Sequence, residues 1–181
     1  MNAHSAIVVA LGGNLGGVEA VAQRFSEAIQ SISDLWGTPK VSSIYRTAPI
    51  GIQSQPDFLN AVAAWWPEEP PGPEQALALL QSLEAVHGRE RIVTGGARTL
   101  DLDLLLHAGQ TRDTPGLRVP HPRIATRAFV LAPLAQVFGS EFQWLHEGPT
   151  VGELLSQPDI ADQRCARTGD VQLDQKRQGG D

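Results

Sequence analysis

Arg98-Thr99-Leu100-Asp101-Leu102-Asp103-Leu104-Leu105-Leu106 alternates apolar and polar residues with the period of a β-strand. In that conformation Leu100, Leu102, Leu104 and Leu106 point to one side. Thr99, Asp101 and Asp103 point to the other, which sets two carboxylates side by side next to Arg98. Leucine at every second position anchors the strand in a core. Two anions on a half-buried strand are costly unless positive charge compensates them. A hard, oxygen-seeking divalent cation such as Mg²⁺ suits such a pair. The alternative is a solvent-facing strand edge with two exposed acids, and the neighbourhood decides between them.

The chain has 181 residues, 41% of them hydrophobic, which fits one domain with a sizeable core. Residues 1–160 are expected to form that domain, and 161–181 a poorly ordered tail. No apolar run is long enough to span a membrane, and the N-terminus does not read as a signal peptide. The single cysteine, Cys165, excludes an intramolecular disulfide and a thiolate cluster, and fits a cytoplasmic setting. The net charge of −6 argues against a surface that coats nucleic acid. Yet seven arginines (89, 91, 98, 112, 118, 123, 127) face only four acids (90, 101, 103, 113) between residues 89 and 127. Arginine grips phosphate with two parallel hydrogen bonds, so a compact anionic ligand is expected rather than a polymer.

Outward from the acidic strand the chain reads as β-α-β-β-α-β. Residues 6–11 form a strand that runs into Gly12-Gly13-Asn14-Leu15-Gly16-Gly17, a turn that permits close backbone approach. Its spacing is neither a Walker A loop nor a dinucleotide fingerprint. Residues 18–35 repeat apolar side chains at helical spacing. Residues 41–46 and 58–65 read as strands, joined by a polar loop over 47–56. On the second of these strands Phe58 and Asn60 share a face, where a ring could stack and an amide could pair with a flat heterocycle. A second helix runs from Pro73 to His87, with Gln81 and Glu84 three residues apart. Prolines on both sides of His121 hold it in extended backbone, and a helical stretch over 125–137 follows.

Five ordered motifs resemble the 6-hydroxymethyl-7,8-dihydropterin pyrophosphokinases. They are Ala-Leu-Gly-Gly-Asn-Leu (10–15), Tyr-Arg-Thr-Ala-Pro (45–49), Gln-Pro-Asp-Phe-Leu-Asn (55–60), Arg-Thr-Leu-Asp-Leu-Asp (98–103) and Val-Pro-His-Pro-Arg (119–123). The resemblance implies a ferredoxin-like α+β sandwich, an antiparallel sheet with helices packed on its faces. It implies transfer of the pyrophosphoryl group of ATP to the pterin hydroxymethyl, with two Mg²⁺ ions on Asp101 and Asp103 and catalytic roles for Arg89 and Arg98. Gln81, Glu84, Arg91, His121 and Arg127 would serve ATP. Thr47, Ala48, Ile50, Phe58, Asn60 and Phe129 would hold the pterin. The implied partners are these two small molecules alone, with no nucleic acid and no membrane, and a monomer is expected. Two departures stand out. Thr94-Gly95-Gly96-Ala97 replaces the usual Arg-Trp-Gly-Pro, which removes the Trp that closes over the pterin, and Gly116 stands where an arginine is common, with Arg118 close enough to substitute.

Overall fold

Leu100, Leu102 and Leu104 are buried on one face of the sheet, as the alternation requires. Full burial of each leucine is worth about 2 kcal/mol. The computed structural model describes residues 3–49, 54–89 and 96–173. In chain order it contains β1 (Ile7–Gly13), α1 (Gly17–Trp36), β2 (Lys40–Val41), β3 (Ser43–Thr47), β4 (Phe58–Trp65), α2 (Pro73–Val86) and β5 (Asp101–His107). A hairpin of β6 (Arg112–Thr114) and β7 (Leu117–Val119) follows. Then come α3 (Ala128–Phe138), α4 (Val151–Leu155), α5 (Pro158–Ala161) and β8 (Cys165–Asp170).

The main sheet runs β5-β1-β4-β3-β8, with β2 alongside β4, and its neighbours are antiparallel. Counting only β1, β3, β4 and β5, the spatial order is fourth, first, third, second, with α1 and α2 as the two crossovers. That is the expected ferredoxin-like α+β arrangement. Two cores sandwich the sheet. One joins Ile7, Val9, Leu11, Leu59 and Trp65 to Phe25, Ile29 and Ile32 of α1 and Leu80 of α2. The other joins Val8, Val62 and Ala64 to Leu131 and Leu134 of α3, Leu154 of α4 and Ile160 of α5. None of the described helices is long and apolar enough to cross a membrane.

Two expectations are corrected. Leu106 does not share a face with Leu100, Leu102 and Leu104; it lies in the second core beside Leu105. The register explains this: Val8 pairs with Leu106 and Val9 with Leu104, so Leu105 is an extra residue, a β-bulge that turns the strand over. The bulge also frees the Leu105 carbonyl to accept the His121 N–H (2.9 Å). Nor does a disordered tail begin at 161. Cys165–Asp170 pairs with β3 as an edge strand, held partly by the Ser43 hydroxyl donating to Asp170. Its polar side chains are exposed, so hydrophobic patterning gave no sign of it.

His107 ends β5 inside the fold, 1% exposed, and among the described residues neither ring nitrogen has a side-chain hydrogen-bond partner at bonding geometry. Burial pushes its pKa below the ordinary histidine value, and the Pro71 backbone and Glu74 pull it back only in part. The unfolded chain therefore takes up a proton at higher pH than the folded one. The contribution of this residue is fully present above the ordinary histidine pKa and is lost as pH falls below it. Thermal melts between pH 7.5 and 5.5 are expected to show falling stability, and His107→Phe is expected to flatten that slope; an equally steep slope in the variant would show that the proton goes elsewhere.

Candidate active site

Three adjacent strands put one row of residues on the α3 side of the sheet. Gly12 of β1 lies opposite Asn60 of β4 and opposite Asp101 of β5. A Cβ at Gly12 would sit 3.5 Å from Asn60 Oδ1 and 3.7 Å from Asp101 Cβ, so the missing side chain opens the floor between amide and carboxylate. Gly13 is needed for a different reason: a Cβ there would lie 2.7 Å from the Thr99 carbonyl oxygen. The turn that the sequence marked as permitting close approach is thus a site floor at Gly12 and a packing necessity at Gly13.

Asp101 and Asp103 stand two apart on β5 and share this face. Arg98 bonds one oxygen of Asp101, and Arg89 Nη2 lies 2.6 Å from the other. Arg127 Nη1 lies 3.6 Å from Asp103. Each of two arginines also covers a ring: Arg98 is 5.4 Å from the Phe58 centroid and Arg127 is 5.3 Å from that of Phe129. Two ring–arginine pairs therefore flank the two carboxylates. Across the row Asn60 is buried and donates to the Thr47 hydroxyl (2.9 Å), while Ala48 is exposed beside it.

His121 joins the group through the Leu105 bulge. Its Nδ1 accepts the Arg123 N–H (3.2 Å), which leaves the ring proton of the neutral form on Nε2. Burial lowers its pKa, and the nearby charge of Asp103 offsets this in part. Burial and Arg123 lower the pKa of Arg127 too, but a guanidinium stays charged.

Gln81 and Glu84 do not act as a pair. Gln81 is exposed, whereas Glu84 is 3% exposed. Glu84 Oε1 accepts the Leu102 N–H (2.7 Å) on the outer edge of β5 and bonds Arg89. It thus ties Arg89, which also meets Asp101, to the edge of β5. Arg118 pairs with Asp113 (2.8 Å) on the hairpin, with both side chains largely exposed. Ile50 and Arg91, and the substituted Thr94 and Gly95, lie outside the described residues.

Asn14 has a role that sequence reading missed. It is buried; its Oδ1 accepts the Arg98 N–H (2.8 Å), and its own N–H donates to the Arg98 carbonyl (3.0 Å). Its amide nitrogen donates to Pro56 O (3.0 Å) and Gln55 Oε1 (3.2 Å). One side chain thus fixes the backbone of Arg98 and the loop that leads into Phe58. The only hint in the sequence is an asparagine inside a glycine-rich turn.

Residues 8–139 match the family model described as 7,8-dihydro-6-hydroxymethylpterin-pyrophosphokinase (HPPK). The chain is 40% identical over 129 residues to a Bacillus subtilis 2-amino-4-hydroxy-6-hydroxymethyldihydropteridine pyrophosphokinase, covering 71% of this chain and 75% of the relative. It is 40% identical over 131 residues to the Pseudomonas aeruginosa protein of the same name, covering 72% and 79%. Among solved structures it resembles a Plasmodium falciparum HPPK-DHPS at a TM-score of 0.61 and 12% identity, over 90% of this chain and 47% of that one. That likeness speaks to the fold alone.

Asn14→Ala leaves the half-buried Arg98 N–H without its side-chain acceptor and is expected to cost about 1 kcal/mol. Urea unfolding measures it, with the slope of the transition unchanged. A loss under about 0.5 kcal/mol, within the range of ordinary surface substitutions, would show that the clamp is not coupled to stability.

Proposed function

The chain belongs to the 7,8-dihydro-6-hydroxymethylpterin-pyrophosphokinase family, and from that premise we propose how its residues divide the reaction. It is a pyrophosphokinase of folate biosynthesis. The pterin hydroxymethyl oxygen attacks the β-phosphorus of ATP and forms a new O–P bond. The bond from that phosphorus to the α,β-bridging oxygen breaks, AMP leaves with the bridging oxygen, and the hydroxyl proton passes to solvent. Little covalent help is needed; alignment and charge stabilisation carry the rate.

The observation that carries this reading is the Asp101/Asp103 pair with three arginines laid upon it. Arg89 and Arg98 meet Asp101 from its two oxygens, poised to grip phosphate oxygens as charge grows on the leaving group. His121 and Arg127 take the triphosphate from the Asp103 side; Arg91 joins them on family grounds. Phe58 and Phe129 stack the pterin ring, and Asn60, with Thr47, Ala48 and Ile50, reads its edge.

Mg²⁺ fits the donor set. Two hard carboxylates share a face, and Asp101 and Asp103 keep 17% and 36% of their side-chain surface open. Magnesium takes only one or two protein carboxylates and completes its shell with phosphate and water. Charge points the same way: among the described residues Glu84, Asp101 and Asp103 already occupy Arg89, Arg98 and Arg127. A triphosphate entering a cluster so neutralised calls for further cations. Asp101 and Asp103 would hold two Mg²⁺ ions, which would supply charge neutralisation to the polyphosphate. The reading places the enzyme with its ATP in the cytoplasm, as a monomer acting on small molecules.

The test is AMP release from ATP and Mg²⁺ that requires 6-hydroxymethyl-7,8-dihydropterin. Asp101→Asn and Asp103→Asn are each expected to cut it by about 100-fold or more with the far-UV spectrum unchanged. Normal turnover by either variant would refute the assignment. Arg98→Ala is expected to lower kcat by about 100-fold while pterin Kd moves by less than about five-fold, because the group acts on developing charge. A pure loss of affinity counts against that role.

A further inference from the structure

The family match ends at residue 139, but the ordered chain continues. Phe142, Val151, Leu154 and Ile160 are buried in the core beneath α3, and β8 adds a strand beside β3. Between α5 and β8 lies Gln163, whose side chain makes three hydrogen bonds to backbone. Its oxygen accepts the Ala128 N–H (2.9 Å), and its nitrogen donates to Thr126 O (3.0 Å) and Asp159 O (3.1 Å).

The first N–H groups of a helix need an acceptor, and the residue just before the helix usually supplies it from a short polar side chain. At α3 that position is Arg127, which makes no capping bond from its side chain. Its guanidinium is turned instead toward Asp103 and the Phe129 ring. The capping task has passed to Gln163, which holds the backbone on both sides of Arg127. Two residues further on, Cys165 pairs with Thr47 of β3, whose hydroxyl accepts from Asn60.

We infer that residues 163–165 form a clasp that sets the spacing between the two sides of the pterin site, with Gln163 as the positioning residue for Arg127 and Phe129. One end fixes the start of α3; the other fixes the Thr47–Asn60 side. The inference rests on the reading of Phe129, Arg127 and Asn60 as ligand-binding residues. A clasp of this kind acts on binding: without it, ordering the start of α3 must be paid when substrate arrives.

Gln163→Met keeps the length of the side chain and removes every hydrogen bond. It is expected to raise the KM for pterin and for ATP by about five-fold each, with kcat changed less than about two-fold. Asp162→Ala, exposed on the same segment, is the control and is expected to match the unmodified chain. Hydrogen exchange at the Ala128 amide is expected to quicken in Gln163→Met and not in the control. Unchanged KM values in an active Gln163→Met enzyme overturn the clasp and leave the pyrophosphokinase reading standing, even where exchange quickens. A loss confined to kcat overturns it as well. Absence of pterin-dependent AMP release from the unmodified protein sinks the functional reading, and the clasp falls with it.

Discussion

The carboxylate of Asp101, gripped by an arginine at each oxygen, is the contact on which the site depends. A charged group on a half-buried strand cannot stand alone, because removal from water costs several kcal/mol per ion. The fold meets that demand from three directions. Arg98 comes from the turn just before β5, Arg89 from the end of α2, and Glu84 from the body of α2, where it steadies Arg89 and caps the edge of β5. Asp101 stands between the buried Leu100 and Leu102, and Glu84 follows the buried Leu83, so the acids inherit the rigidity of the leucines beside them.

The two faces of the sheet have different duties. Under α1 and α2 the packing is continuous and apolar, with Trp65 and Phe25 fully buried. On the α3 side, apolar packing at Val8, Val62 and Ala64 gives way toward the strand ends to Asn60, Gly12, Asp101 and Asp103. A strand alternates its faces, so one sequence can anchor with its odd residues and bind with its even ones, or the reverse. The bulge at Leu105 is where β5 changes that assignment, and the same bulge supplies the carbonyl that seats His121.

What was legible in the sequence was periodic or local. The Leu/Asp alternation, the apolar stripe of α1 and the proline-to-glycine bounds of α2 each report their own environment. So did the shared face of Phe58 and Asn60. The residues that escaped owe their roles to partners far along the chain. Glu84 pairs with Gln81 by spacing, but the open edge of β5 draws in one and leaves the other in solvent. Asn14 reads as turn chemistry until residue 98 folds against it, 84 positions away. β8 pairs with β3 by backbone register and a few polar side-chain bonds, carries no apolar period, and side-chain patterning is blind to that.

These long-range partners have a common effect. Arg98, Arg89 and Arg127 each sit at the end of an element, where a side chain is least restrained and most able to meet a ligand. Each is also tied back by a neighbouring residue: Asn14 holds the backbone of Arg98, Glu84 the guanidinium of Arg89, and Gln163 the backbone around Arg127. An arginine loses substantial side-chain entropy when it is ordered, and a bonded neighbour moves part of that loss from the binding event to folding. For transfer between two small molecules, where few protein contacts exist to offset it, such preorganisation is the main lever left to the fold.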